Sequence, residues 1–309
     1  DRLDTLFVGD KTPTSFSCYV RIGVSDTVLI VREMTHNVVN KKLYHLRDKN
    51  FLFIPSSTID SLKIIKGGDS CTLSRMAAGW RISESGIWAN DRLVESYLND
   101  LTLGIIWGFV REDLDTLETY GLDPPCGELS IFQAGEEIRI SFGNRKENQI
   151  HAIRTGIEKV LLLEEKLFAP LDWALDEMRS RNLSFFEPAD VTEIICELPG
   201  RTITLQREPS GWSASGTPVP LEKPLNILRM IKGARFESFT GRLDGALPGP
   251  KDPFSLRITL NGSDGEQIDN IFFYSTPSGT EEAVSASSGM RGNIAPGKRI
   301  EIERFLASL

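Results

Sequence analysis

The side chains that could do chemistry in this 309-residue chain are three histidines, four cysteines, some adjacent carboxylates and one glycine-rich segment. Zinc hydrolases place two imidazoles on one helix face through HExxH, but His36, His45 and His151 are scattered and have no metal-ligand spacing. Packing or surface roles are expected for them. The segment Gly292-Asn-Ile-Ala-Pro-Gly-Lys298 has the spacing of a phosphate-binding loop, yet Arg299 stands where the magnesium-ligating Ser or Thr belongs. No parallel βαβ pattern surrounds it, so the match reads as chance. GxSxG, GxGxxG and CxxC are absent. The pairs Glu164-Glu165 and Glu281-Glu282 are neighbours in sequence, and solvated turns explain them better than acid and base facing each other across a substrate. No nucleophile, base and orienting group can be assembled, so the expectation is a protein that is not an enzyme and uses no metal or cofactor.

The elements carrying these residues are written more than once. Gly79-Trp80 and Gly211-Trp212 lie 132 residues apart, and each follows a strand-like alternation ending in Arg. The offset carries Leu73 and Arg75 to Leu205 and Arg207, Ile59 and Leu62 to Val191 and Ile194, and the run 28–31 to 160–163. A fixed period marks a repeat architecture. Val39, Leu43 and Leu46 have helical spacing and map to Leu171, Leu175 and Met178, with a third copy at Ile302, Leu306 and Leu309. Pro170 and Pro296 are expected before or at the starts of these helices.

Within the central copy the pattern predicts strands at 129–133, 137–142, 150–154 and 160–163, a helix over 169–181, strands at 191–198, 202–207 and 212–214, and a second helix over 223–236. Gly135, Pro199-Gly200 and Pro209-Ser210-Gly211 supply tight turns between strands. The fold class is therefore α+β: tandem repeats of antiparallel meander sheets, each covered by helices. Pro-rich stretches at 120–126 and 247–253 divide the chain into a first repeat at 1–120, a second at 121–248 and a partial third at 249–309. The counterpart of the strand at 129–133 would precede residue 1, so the first repeat is expected to lack its opening strand and the chain to be a piece of a longer protein.

The repeat is also an internal control, because a residue whose counterpart differs chemically is not demanded by the scaffold. His36, His45 and His151 answer to Phe168, Glu177 and Tyr19. Cys18, Cys71 and Cys196 answer to Ile150, Ile203 and Ile64, which makes them small buried hydrophobes without a disulfide. Cys126 is the cysteine expected to expose its thiol. Trp80 and Trp212 are shared and belong to the core; Arg47 and Arg179 are shared at helix exits, where a cation meets the last carbonyls. Trp88, Trp107 and Trp173 face Pro218, Glu237 and Lys41, and Ile105 faces Arg235. Large apolar groups where the sister copy is polar or charged point to contact surfaces, either between repeats or with a partner.

Composition narrows the partners. The net charge of −8 repels phosphate backbones and anionic membrane surfaces, which argues against nucleic acid. The longest apolar stretch, 101–110, is too short to span a bilayer.

The combination Phe7-Val-Gly-Asp-Lys-Thr-Pro13 leading into Tyr19-Val-Arg, the Leu46-Arg-Asp-Lys-Asn-Phe51 helix exit, Gly121-Leu-Asp-Pro-Pro125 and the Gly-Trp pairs resembles the bacterial domain-of-unknown-function 4340 family. The resemblance covers nearly the whole chain and is weakest at 290–294, where the apolar run of 160–163 is lost. It implies tandem units in an extracytoplasmic protein, tethered by an N-terminal membrane helix absent from these residues and associated with ABC transporters of the gliding-motility type. It assigns no catalytic residue. The expected function is a non-enzymatic, repeat-built binding or scaffolding module for a protein partner such as a transporter component. The alternative is a sensor or carrier that binds a sugar or lipid between repeats.

Overall fold

The computed structural model describes residues 5–111, 117–242, 254–275 and 279–308. Its strands fall into three antiparallel sheets taken in chain order. The first contains β1 (Leu6–Lys11), β2 (Ser17–Ile22) and β3 (Val28–Arg32) in that spatial order, followed by helices α1 (Glu33–Val39) and α2 (Leu43–Leu46).

The second sheet has nine strands. Strands β4 (Ser61–Lys66), β5 (Asp69–Met76), β6 (Gly79–Ile82) and β7 (Ile87–Trp88) form a meander, followed by α3 (Asp91–Thr102) and β8 (Gly108–Arg111). A second meander follows in β9 (Gly127–Gln133), β10 (Glu136–Lys146), β11 (Gln149–Arg154) and β12 (Ile157–Glu164), and then a 3-10 helix (Glu165–Asp172) and α4 (Leu175–Met178). The spatial order is β7-β6-β5-β4-β9-β10-β11-β12-β8, so the two meanders join between β4 and β9 and the strand after α3 closes the far edge.

The third sheet repeats this plan with β13 (Glu193–Leu198), β14 (Arg201–Glu208), β15 (Gly211–Ala214), β16 (Thr217–Val219), α5 (Glu222–Lys232), β17 (Phe236–Arg242), β18 (Leu256–Asn261), β19 (Gln267–Ser275), β20 (Glu281–Ser285), β21 (Met290–Ile294) and α6 (Lys298–Ala307). Its order is β16-β15-β14-β13-β18-β19-β20-β21-β17. The fold is α+β, built from tandem antiparallel units.

Sheet and sequence repeat are half a period out of phase. The boundary between 120 and 121 falls inside the second sheet, where Ser61 of β4 pairs with Phe132 of β9. The boundary at 248–249 lies outside the described residues, but β17 and β18 on either side of it share one sheet. The stretch 120–122 lies on the sheet itself: Leu122 is buried, and a Cβ on Gly143 would come within 2.1 Å of the Tyr120 carbonyl oxygen. The Pro-rich stretch at 120–126 is thus a packed crossing over a core.

The shared Gly-Trp pairs have a physical reason. Gly79 and Gly211 adopt φ of 136° and 133°, a region that disfavours residues with a Cβ, and each puts the following Trp into a core. Trp80 and Trp212 pair in register with Arg75 and Arg207, and the Arg75 guanidinium lies 4.4 Å from the Trp80 ring centroid.

Three expectations about helices change. The segment around 169–181 is a 3-10 helix plus one α-turn, because Pro170 sits inside it without an N–H to continue an α ladder. The first copy likewise breaks after Val39, where Asn40 caps α1. The helix over 223–236 stops at Lys232, Gly233 caps it, and Phe236 starts β17. Strands β7, β8, β16 and β17 are additions to the sequence reading. The run 290–294 is a strand despite its lost apolar pattern, held between β20 and β17.

The copied helix stripe is buried to different extents. Leu171, Met178, Ile302 and Leu306 are buried, whereas Val39, Leu43, Leu46 and also Leu175 are exposed. Leu309 lies outside the described residues.

Candidate functional site

Trp88, at the end of the edge strand β7, forms the seam between the second and third sheets. Its ring stacks on Phe185 at a centroid distance of 4.7 Å and an interplanar angle of 17°, and its indole N–H donates to the Ser287 carbonyl at 2.9 Å. Its neighbour Ile87 is buried among the apolar residues of the third sheet. Arg242 of β17 adds a 2.6 Å bond from its guanidinium to the Ser85 carbonyl.

A group that sequence reasoning missed stands beneath this seam. Asp269 of β19 is fully buried. Its carboxylate accepts from the Ser184 hydroxyl, from the Ser285 hydroxyl at 3.0 Å, from the Ser287 hydroxyl at 2.6 Å and backbone N–H at 2.9 Å, and from the Asn270 N–H at 2.7 Å. The Ser287 hydroxyl also accepts from the Phe185 N–H at 3.0 Å, which ties the stacking partner of Trp88 to the same network. A buried carboxyl group is tolerated because so many donors meet it. The signal was available: Asp269 pairs with Leu260 as Ile138 pairs with Ile131, so one copy holds a carboxylate where the other holds isoleucine. Ser184 and Ser285 are themselves buried and both donate their hydroxyls to Asp269, so the cluster orders the loop between β20 and β21.

Trp173 lies beside the 3-10 helix with its ring edge-on to Tyr97 of α3 at 5.5 Å, and the Tyr97 hydroxyl donates to the Leu167 carbonyl at 3.0 Å. It joins the second sheet's core to the segment that covers it, and it borders a 270 Å³ cleft with Cys71 and Lys66.

Ile105 and Trp107 are placed differently. Ile105 forms a β-bridge with Asn50; Trp107 donates its N–H to the Leu162 carbonyl at 2.9 Å and accepts from the Tyr44 hydroxyl at 2.9 Å. Their backbone is pinned from both sides while their side chains remain 51% and 50% exposed. Leu103 and Leu46 in the same region are exposed as well. The sister site has the same skeleton: Arg235 bridges Asn182, and the Arg181 guanidinium reaches the Glu237 carbonyl at 2.7 Å. There Arg235 and Glu237 are exposed although the Trp88 seam beside them is assembled. Packing of one unit on the next therefore does not cover this position.

The shared arginines turn toward aromatic rings. Arg47 lies 4.8 Å from the Phe109 centroid and Arg179 lies 5.9 Å from that of Phe239, so each links the end of a short helix to the closing strand of the sheet.

The remaining candidates are structural. Glu281 and Glu282 are buried on β20 and not in a solvated turn, because each meets a cation. Glu282 pairs with Arg291 at 2.6 Å and accepts from the Thr240 hydroxyl, and the Arg291 contact holds its carboxyl below the usual range. Glu281 accepts from the Arg299 backbone N–H at 3.0 Å in the first turn of α6. That carboxylate fills the position a phosphate would need at the Gly292–Lys298 segment, whose strand β21 has antiparallel neighbours only. Glu164 and Glu165 sit at the strand-to-helix junction, paired with Lys166 and Arg145. His151 packs on Tyr120 and contacts the Asn144 carbonyl oxygen at 2.9 Å, His36 contacts Asn40, and His45 meets Tyr44. Among the described residues no three His, Cys, Asp or Glu side chains converge to hold a metal.

Cys18 and Cys196 are buried, and burial pushes the Cys196 thiol up to about 12 and that of the half-buried Cys71 to about 11. Cys126 is exposed, but its thiol donates to the Phe142 and Gly143 carbonyls and partial burial raises its pKa.

A family model described as "Domain of unknown function (DUF4340)" matches residues 1–125 and, in a second overlapping match, residues 80–253. No curated protein and no solved structure matches the chain.

Proposed function

As the chain belongs to the domain-of-unknown-function 4340 family, we propose that it is a non-enzymatic binding and scaffolding module that engages a protein partner through the surface carrying Ile105 and Trp107. One observation carries the reading. These two side chains are exposed on a pinned backbone, and the sister positions stay solvated as Arg235 and Glu237 where two units are packed together. Both side chains are half exposed, so a partner that covered them would recover about half of the roughly 1.5–3 kcal/mol that full burial of a large apolar side chain contributes. Tryptophan at the centre of such a surface is a frequent anchor.

The proposed setting is extracytoplasmic, in a membrane-anchored accessory protein of an ABC transporter system; what supports it is the family resemblance alone. No helix among the described residues is long and apolar enough to cross a membrane. A second reading, a carrier of a small ligand, draws on a 670 Å³ cleft between the units bordered by Phe185, Phe186, Ala77 and Gln267, a volume in the range of ligand sites.

The test is the double variant Ile105→Arg with Trp107→Glu, which copies the sister site. The expected result is an unchanged melting temperature with loss of a protein that the parent chain captures from native membranes. Equal capture by both forms would sink the proposal.

A further inference from the structure

The surface of Ile105 and Trp107 has a second property besides its apolar character, and that is its charge. It is built from two chain segments lying side by side. The Ile106 N–H donates to the Lys49 carbonyl at 2.7 Å, the Tyr44 hydroxyl donates to the Trp107 carbonyl at 2.9 Å, and the Arg47 guanidinium lies over the Phe109 ring. Residues 41–49 are therefore one flank of the surface, with Leu43 and Leu46 exposed on it and Leu103 exposed on the facing segment.

That flank carries Lys41, Lys42, Arg47 and Lys49 against one carboxylate, Asp48, an excess of three positive charges in a chain of net charge −8. Asp48 already accepts from the Asn50 N–H at 3.0 Å. Lys41 and Lys42 lead into α2, are exposed, and have no ion-pair partner among the described residues. The Lys49 ammonium rests 4.1 Å from the Tyr44 ring centroid, which holds it beside the aromatic part of the surface. On the neighbouring strand β12, Glu164 lies two residues beyond the Leu162 that Trp107 bonds, and it is paired with Lys166 at 3.0 Å.

The sister site shows that the scaffold does not ask for this charge. Its flank, 173–181, balances Asp176 and Glu177 against Arg179 and Arg181. Tyr44 and His45 stand where the sister has those two carboxylates, and Lys41 and Lys42 stand where it has Trp173 and Ala174. The copy with Ile105 and Trp107 in place of Arg235 and Glu237 thus differs on the facing segment too, and every difference there removes negative charge or adds positive. Two independent sets of deviations meet on one surface.

Resting on the reading of this surface as a docking site, we infer that its partner presents an acidic polypeptide segment with an apolar anchor. Carboxylates of that segment meet Lys41, Lys42 and Lys49, and the anchor seats against Ile105 and Trp107. The overall charge of the chain does not oppose this, because screening at physiological salt confines the field of exposed charges to about 8 Å, so a short segment feels mainly the local excess. An anionic bilayer extends far beyond that length and meets the whole net charge of −8, which favours a polypeptide as the occupant. Charges of this kind act mainly on encounter rate and partner choice, while the apolar centre supplies the hold.

Site-specific photo-crosslinking tests the inference. Leu103 is 79% exposed, so benzoylphenylalanine in its place disturbs no packing and reports what lies over the surface in the native cells. The sequenced adduct should be a segment with more Asp and Glu than Lys and Arg around an apolar residue. Lys41→Glu with Lys42→Glu should cut adduct yield at least about 10-fold at low salt and leave the melting temperature unchanged, and in isolated membranes the parent's yield should fall as salt rises from about 0.05 to about 0.5 M. An adduct with lipid, with a second copy of this chain, or with a segment lacking that acidic excess would overturn the inference, as would a yield indifferent to salt and to the lysine changes. If Ile105→Arg with Trp107→Glu abolishes the adduct but the lysine changes do not, the docking surface stands and its acidic partner falls. If neither pair of changes alters the adduct, both ideas fall.

Discussion

Trp88 is the place where the joint between units can be weighed. Truncating it to alanine removes the stack on Phe185 and the 2.9 Å bond from its indole to the Ser287 carbonyl. An aromatic stack contributes about 0.5–1.5 kcal/mol beyond burial. A hydrogen bond contributes about the same, and the Ser287 carbonyl would be left without this partner. These two contributions alone make Trp88→Ala cost at least about 1–3 kcal/mol, to which the lost burial of the partly exposed ring adds, while Trp88→Phe, which keeps the stack, should cost about 1 kcal/mol. Urea unfolding followed separately by probes in each sheet would measure both. A double-mutant cycle with Phe185→Ala isolates the pair and should return a coupling of about 1 kcal/mol. If the two substitutions are additive, or if Trp88→Ala shifts stability by less than about 0.5 kcal/mol, the ring is a passenger and the joint is held by other contacts.

Gly143→Ala should destabilise by about 1–3 kcal/mol, read as a drop in the urea midpoint, because the new methyl would meet the Tyr120 carbonyl and Leu122. Arg291 and Thr240 hold the Glu282 carboxyl below its ordinary range, so its contribution is complete above the unfolded-state value and is lost as pH falls through the lower folded value. Glu282→Gln should therefore weaken the loss of stability on acidification below about pH 4, seen in melts across pH 2–6; an unaltered acid limb would contradict the assignment. At pH 8, Cys71 and Cys196, with thiols pushed up to about 11 and about 12, should resist iodoacetamide in the folded protein and react after denaturation. Rapid labelling of either in the native state would show that the burial is wrong.

Short-range patterns in the sequence carried the units. Helical spacing, strand alternation and turn residues repeat at a constant offset, and each is a local property that a chain displays without knowing its neighbours. Hence Trp80 and Trp212 were legible as core, Cys18 and Cys196 as buried hydrophobes, and Ile105 and Trp107 as positions the scaffold leaves free. Tertiary structure alone decided the pairing of β4 with β9, because a partner some 70 residues away leaves no mark in either strand's own pattern. It also decided the fate of the charges. Glu281 and Glu282 read as solvated because carboxylates avoid interiors, and they are buried because Arg299 and Arg291 arrive from other elements. Asp269 survives at the centre of the third unit since three serine hydroxyls and two backbone N–H groups converge on it from separate segments. The same holds for the tryptophans: all three unshared ones look alike in the alignment, yet Trp88 and Trp173 meet aromatic partners and Trp107 meets water. Burial belongs to what packs against a side chain, and that is fixed only when distant segments meet.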